Sequence, residues 1–426
     1  MIILVFSVTF CCSIFINEKM LAKVLKSNVF HQRSTSVSVV LLHSKSPRPE
    51  ADSEMASQPT ALSPSESQQQ RLLLTQPVQP ADPKRLRVSV IGWPNAGKST
   101  LINALTHTHV LPMSAKIDTT TRNTLAIFTS GDTQIEFLDS PGIHNRSKSK
   151  KHVGSYLNAR QPSRCMENSD LCLVIADLSS RTVSRGKLQP EVLLHLLRHR
   201  DVPAILVLNK VDRLSNRLAP LKAISSLTAG FVDGVSSAPV ENKPLEPIWL
   251  PRIKSGVLKA FEEIKNVEHP NDISLASKDE PKALAQLRKL RGWPYFKDVF
   301  VISSLQDHHV DQLRNYLLLK AKPGEWKYNQ QLITDQSPYE SAKDAIRSAL
   351  LENLDEEVPY LVDVHILDWR VHTDHIVTEV ELRCQKKKHV KYCEGRAATL
   401  SFAVRRRLSI LFGMDVKLHM VAYVSR

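Results

Sequence analysis

The sequence lacks the residues that would indicate a zinc centre, a disulfide scaffold or a membrane span. Six cysteines, Cys11, Cys12, Cys165, Cys172, Cys384 and Cys393, are spread over 426 residues. They form no C-x-x-C pair and no Cys/His ligand spacing, so neither a zinc site nor a disulfide framework is indicated. The leading apolar run, Ile2 to Ile16, is shorter than a bilayer span and lacks the positive start of a secretory signal. No transmembrane span is expected in the mature chain. Acid is absent between Met20 and Glu50, where Lys23, Lys26, Arg33, Lys45 and Arg48 are interleaved with Ser and apolar residues. That composition suits a basic amphipathic presequence, so residues 1–49 read as a mitochondrial targeting segment with Met20 as the working start. A cleaved secretory signal is the competing reading. Residues 50–85, rich in Ser, Gln and Pro up to Pro83, read as a disordered linker.

What remains is long enough for two ordinary domains. A hydrophobic fraction of 42% with mixed charge fits a globular chain. The net charge of +14 suggests a polyanionic partner, nucleic acid first and an anionic membrane surface second. A merely basic, solvated surface fits the charge excess equally well.

The chemistry starts at Leu86. Val88 to Ile91 alternates as a short buried strand, Gly92-Trp93-Pro94-Asn95-Ala96-Gly97-Lys98-Ser99 matches G-x-x-x-x-G-K-S, and Thr100 to Leu105 opens a helix. Strand, glycine loop and helix are the setting a phosphate loop requires. Backbone N–H groups and the helix N-terminus attract phosphate, Lys98 reaches the β and γ phosphates, and Ser99 is a candidate magnesium ligand. Downstream, the strand from Thr133 ends in Asp139-Ser140-Pro141-Gly142. Here Asp139 would hold magnesium through water and the Gly142 N–H would face the γ-phosphate. A second strand ends in Asn209-Lys210-Val211-Asp212. The Asp212 carboxylate can accept from guanine N1–H and the 2-amino group, an arrangement adenine cannot offer. Asn209 and Lys210 brace the loop and base, and Ser303-Ser304-Leu305 after a third strand can contact guanine O6. Each piece alone is weak, and a lone D-x-x-G is commonly a turn, but four in order at strand ends specify GTP. The predicted fold is an α/β P-loop GTPase domain, a doubly wound and mostly parallel sheet with ligand at the carboxyl ends of its strands.

Glutamine is missing where many GTPases orient the attacking water. The residue after Gly142 is Ile143, so intrinsic hydrolysis is expected to be slow.

The segments G-W-P-N-A-G-K-S-T-L-I-N-A-L, Asp118-Thr119-Thr120, D-S-P-G-I and N-K-V-D resemble the Era GTPases. Arg291 to Leu305, Pro323-Gly-Glu-Trp326, Thr334-Asp335 and Glu357-Val-Pro-Tyr360 are similar to the mitochondrial members. The resemblance covers about Leu86 to Val424. It implies a GTPase domain over 86–325, with an insertion at about 214–290 (Ser236 to Pro251 among it), followed by a smaller α+β type II KH-like domain over 330–426. It further implies binding of small-subunit ribosomal RNA, assistance in assembly of the small ribosomal subunit, and a place in the mitochondrial matrix, with the inner-membrane surface a peripheral contact. Thr120 becomes the switch threonine on magnesium, with Thr119 its neighbouring candidate. Thr121 stands where Era proteins usually have arginine, and Arg122 follows one place later. Asn95 matches GTPases in which an asparagine helps coordinate a potassium ion that replaces an arginine finger; its other reading is a turn residue.

Without the resemblance, the C-terminal part reads as helix (Tyr339 to Leu354), strand (Leu361 to Trp369), strand (Ile376 to Cys384), helix (Leu400 to Phe412) and strand (Val416 to Val424), a small α+β domain. Lys386, Lys387, Lys388, Lys391, Arg396, Arg405, Arg406 and Arg407 concentrate charge there, and all but Arg407 are candidate RNA contacts together with Gly395. The glycine clamp of a KH domain is incomplete in either alignment. One leaves Gly395 as its first glycine with a deletion after it, and the other places Lys391 to Glu394 over the motif. A GTPase of tRNA modification and a nucleotide-gated membrane-associated module are the alternative functions.

Overall fold

The computed structural model describes residues 58–113, 123–143, 161–216, 218–236, 284–285, 287–355 and 357–424. The expected targeting segment, the switch residues Asp118 to Arg122 and most of the insertion lie outside these.

A helix, α1 (Glu66–Leu74), precedes the first strand β1 (Lys84–Gly92) and helix α2 (Lys98–Thr106). Then follow β2 (Thr124–Ser130), β3 (Thr133–Asp139), α3 (Gln161–Glu167), β4 (Leu171–Asp177), the short α4 (Arg181–Ser184), α5 (Pro190–Arg198), β5 (Ala204–Asn209) and α6 (Ala219–Leu227). A small hairpin, β6 (Phe231–Val232) and β7 (Val235–Ser236), leads toward β8 (Phe296–Val301), α7 (Val310–Lys320) and β9 (Lys322–Pro323). The sheet order is β2-β3-β1-β4-β5-β8, with β9 added on β1. Strands β3, β1, β4, β5 and β8 are parallel, while β2 runs antiparallel to β3. Helices on both faces explain the composition: every residue of β5 and the first six of β4 are buried, as an apolar strand covered on two sides must be. α5 places Pro190 at its first turn, where the missing N–H costs nothing.

The second domain holds α8 (Pro338–Asn353), β10 (Val362–Val371), β11 (His375–Cys384), α9 (Lys387–Gly395), α10 (Ala397–Phe412) and β12 (Asp415–Val424). β11 is the central strand, antiparallel to β10 and parallel to β12. Its buried residues alternate, so one face meets the helices and the other faces away. On α10 the covering stripe is Leu400, Val404, Leu408 and Leu411, spaced as one side of a helix requires. Gly413 ends α10 in the left-handed conformation, φ +66°. The arrangement is KH-like.

Two expectations need correction. The C-terminal pattern omitted α9, which follows Lys386 without a long loop. The segment expected to be a disordered linker is ordered from Gln58 onward. It buries Leu62 and Gln69, forms α1 with Ser65 capping the Gln68 N–H at 3.4 Å, and Lys84 already belongs to β1. Side-chain amides together with Leu62 and Leu72, rather than a continuous apolar stripe, hold it in place.

Candidate nucleotide-binding site

The carboxyl ends of β1, β3, β4, β5 and β8 converge on one cleft of about 880 Å³. At its floor the loop after β1 turns into α2 through Gly97, whose φ of +94° is open to glycine at no cost. A Cβ there would also lie 2.3 Å from the Asn209 amide nitrogen, so loop and guanine motif meet only because that side chain is absent. Asn95, at φ +60°, turns the loop just before it.

Lys98 is buried in this loop. Its ammonium reaches the carbonyls of Gly92 at 3.5 Å and Trp93 at 3.4 Å. Burial lowers its pKa from the ordinary lysine value, a tendency the nearby Asp139 carboxylate opposes. A desolvated ammonium facing carbonyl oxygens is set to gain from an arriving phosphate anion. Beside it the Ser99 hydroxyl donates to the Asp139 carboxylate at 2.6 Å. A hydroxyl at a helix start and a carboxylate at a strand end are oxygen donors of the kind a hard divalent cation takes, so these residues fit magnesium. Thr120, the third expected ligand, lies outside the described residues.

The D-x-x-G turn packs under the phosphate loop. The Ile143 N–H donates to the Gly92 carbonyl at 3.1 Å, and the Ser140 hydroxyl donates to the Val90 carbonyl at 2.8 Å. A Cβ on Gly142 would lie 2.8 Å from Pro94, which explains glycine at that place. Pro141 is buried alongside. Ile143 is buried in the apolar cluster of Ile91 and Val174. Its side chain serves packing, in keeping with its inability to orient water.

Guanine-side residues form a network around Asn209. Its amide donates to the Ala96 carbonyl at 2.9 Å, while its oxygen accepts from the Lys210 N–H at 2.8 Å, the Ser304 N–H at 3.0 Å and the Ser304 hydroxyl at 2.8 Å. The Val211 N–H donates to the Ile302 carbonyl at 3.2 Å. The Ser303 hydroxyl donates to Asp212 at 2.5 Å, orienting the carboxylate in the cleft wall with Leu305 and Thr100. Lys210 adopts φ +65°, and its ammonium binds both the Asn95 carbonyl and the Asp177 carboxylate, the latter at 2.7 Å. Asp177 went unnoticed in the sequence. It ends β4, and the rule that ligands sit beyond the carboxyl ends of parallel strands could have flagged it.

The far wall of the cleft comes from the second domain, including Phe402, Arg406 and Arg407 of α10. Arg407 donates to the Met113 carbonyl at 2.9 Å and to the Ser348 hydroxyl at 2.8 Å, and pairs with Glu352 at 2.5 Å. The arginine run therefore divides. Arg405 and Arg406 are exposed, and Arg407 ties the domains together. Lys386, Lys387, Lys388 and Lys391 are exposed around the start and middle of α9. Arg396 is already engaged, pairing with Asp355 at 2.6 Å and lying 4.8 Å from the Tyr392 ring centre. Gly395 is the last residue of α9, and only Arg396 separates α9 from α10, so no glycine loop projects between the helices.

Three comparisons bear on kinship. Residues 87–210 match a family model described as 50S ribosome-binding GTPase. The chain is 36% identical to the mitochondrial GTPase Era of Danio rerio, covering 82% of this chain and 76% of that one. It is 34% identical to the mitochondrial GTPase Era of Salmo salar, covering 88% and 84%. Among solved structures, Era in complex with MgGDPNP and nucleotides 1506-1542 of 16S ribosomal RNA shares the fold, with a TM-score of 0.55 at 21% identity over 80% of this chain and 94% of that one. With phosphate loop, D-x-x-G turn and guanine motif assembled at one cleft, and with identity of this extent over both domains, the chain belongs to the mitochondrial Era GTPase family.

Proposed function

We propose that this GTPase is an RNA-binding assembly factor for the small ribosomal subunit of mitochondria, working in the matrix. The observation that carries the reading is the shared cleft. Residues proposed to bind GTP and a basic helix of the KH-like domain line one cavity, so nucleotide and RNA can report on each other. The RNA surface is formed by Lys386, Lys387, Lys388, Lys391, Arg405 and Arg406, which neutralise phosphates. With no glycine clamp between α9 and α10, these side chains replace backbone contacts and sequence preference is modest.

In hydrolysis, Lys98 and the phosphate-loop N–H groups take up charge developing on the γ-phosphate, and the Gly142 N–H orients it. Magnesium, held by Ser99 and Asp139 with Thr120, supplies Lewis-acid charge when bound. Asn95 helps hold a potassium ion in place of an arginine finger. Ile143 leaves water positioning to other groups, which makes turnover slow.

Among the described residues no helix is long and apolar enough to cross a membrane. Any association with the inner membrane is peripheral, through the basic surface. Crosslinking the chain to RNA in mitochondria and sequencing the bound fragments tests the proposal. Fragments of small-subunit ribosomal RNA are the expected result. Transfer RNA instead would favour a role in tRNA modification, and an absence of RNA would end the reading.

A further inference from the structure

We propose that residues 58–83 form an intramolecular brace that holds the GTPase domain and the KH-like domain in one fixed relation. The brace touches the edge of one sheet, the connection between domains, and both layers of the other domain.

On the GTPase side, Gln58 uses both ends of its amide. Its nitrogen donates to the Ile127 carbonyl at 2.8 Å and the Leu332 carbonyl at 3.2 Å, and its oxygen accepts from the Thr129 N–H at 2.8 Å. Ile127 and Thr129 belong to β2, the outermost strand, whose edge already gives the Ile127 N–H to the Ile333 carbonyl at 2.9 Å, so one side chain extends the cover of that edge. On the KH-like side, the Leu62 N–H donates to the Leu411 carbonyl at 2.9 Å, and Leu62 itself is 2% exposed. The Trp369 indole N–H donates to the Pro64 carbonyl at 3.0 Å. Between these, the buried amide of Gln69 donates to the carbonyls of Thr334 at 2.7 Å and Gln336 at 3.0 Å, the stretch joining the domains. Farther along, Gln79 exchanges two hydrogen bonds with the Trp326 backbone, at 3.0 and 2.8 Å.

The chemistry argues for bracing rather than for a small extra domain. α1 fully buries only Gln69 among its own residues, and Leu72, half-buried against Leu125, Ile127 and Leu332, is its one apolar contact; the other side chains are exposed. A nine-residue helix with no apolar stripe is marginal in water, so its order comes from anchors on its neighbours. Those anchors are the buried Gln69 hydrogen bonds, the part-buried bonds of Gln58, Gln79 and Trp369, and one buried leucine. Because they fall on both domains, separating the domains requires releasing them together.

Pulsed electron spin resonance tests this in the full chain. Spin labels go on Leu319→Cys of α7 and Tyr423→Cys of β12, both exposed, with Cys11 and Cys12 changed to Ser; Cys165, Cys172, Cys384 and Cys393 are buried. The parent is expected to give one narrow distance distribution. Gln58→Ala combined with Leu62→Asp and Gln69→Ala should widen it at least about two-fold, while affinity for a fluorescent guanine nucleotide stays within about two-fold because no residue of the brace itself lines that cleft. Gln70→Ala, an exposed neighbour on α1, should change neither. An unchanged distribution in the triple variant overturns the proposal. So does loss of nucleotide binding together with helical signal, which would make the segment part of the GTPase folding core.

Discussion

The Asn209 amide nitrogen and the Ala96 carbonyl, 2.9 Å apart, join the guanine motif to the phosphate loop. The same side chain also accepts from Ser304, so three loops converge on one buried amide. Asn209→Ala leaves those partners unsatisfied, and nucleotide affinity should fall about 10- to 100-fold, the equivalent of roughly 1–3 kcal/mol. Isothermal titration with GDP checks this, and the loss should appear for xanthine and guanine nucleotides alike.

Asp212 gives a different signature. Its carboxylate, oriented by Ser303, is the proposed acceptor for guanine N1–H. Asp212→Asn should cost GTP roughly 2–4 kcal/mol and shift preference toward xanthosine triphosphate. Competition binding reads the switch, and ATP displacing GTP equally from the parent would contradict the guanine assignment.

Turnover should depend on the monovalent cation. With Ile143 buried in the core and unable to orient water, hydrolysis is expected to be slow in sodium and faster in potassium. Asn95→Ala should remove the difference while nucleotide affinity holds. Equal rates in both salts for the parent would remove the potassium role and leave the GTPase assignment intact.

RNA binding should be mainly electrostatic. Changing Lys386, Lys387 and Lys388 to Ala should weaken all single-stranded RNAs alike and flatten the slope of log affinity against log salt by about 2, at ~0.7 per phosphate contact. Fluorescence anisotropy across a salt series measures it. Tight, salt-insensitive and sequence-selective binding by the parent would contradict the missing clamp.

Asp298 on β8 offers a pH test. Burial pushes its carboxyl up to about 6 from 3.8, although the Val299 N–H and Lys320 favour the charged form; Asp233 disfavours it. The folded chain therefore holds a proton that the unfolded chain has lost. Stability falls as pH rises between these values, and the full cost stands above about 6. Asp298→Asn should raise the melting temperature at about pH 7.5, with the gain shrinking toward about pH 4. A gain independent of pH would assign the effect to packing.

The nucleotide site was legible because its chemistry is local. Gly97, Lys98, Asp139 and Asp212 lie in short motifs whose spacing fixes geometry, and the apolar runs before them read as strands. Asp177 was legible only as a strand-end candidate, since its pairing with Lys210 arises once β4 and β5 lie side by side. α9 was missed because four of its nine residues are charged and it buries only His389 and Cys393, too few for a helical stripe to show. The order of residues 58–83 was missed because Ser, Gln and Pro usually mark disorder. Here, glutamine amides meet carbonyls that only the finished fold presents.

The contact between Trp369 and Pro64 spans 305 positions of the chain. During synthesis Pro64 leaves the ribosome long before its partner exists, and the GTPase sheet can close in the interval. Pairing so distant in sequence pays its loop-closure entropy late and is slow to form. The relative placement of the two domains is therefore the last part of the structure acquired. A chain stalled before α10 would carry the phosphate loop and guanine motif with one wall of the cleft missing.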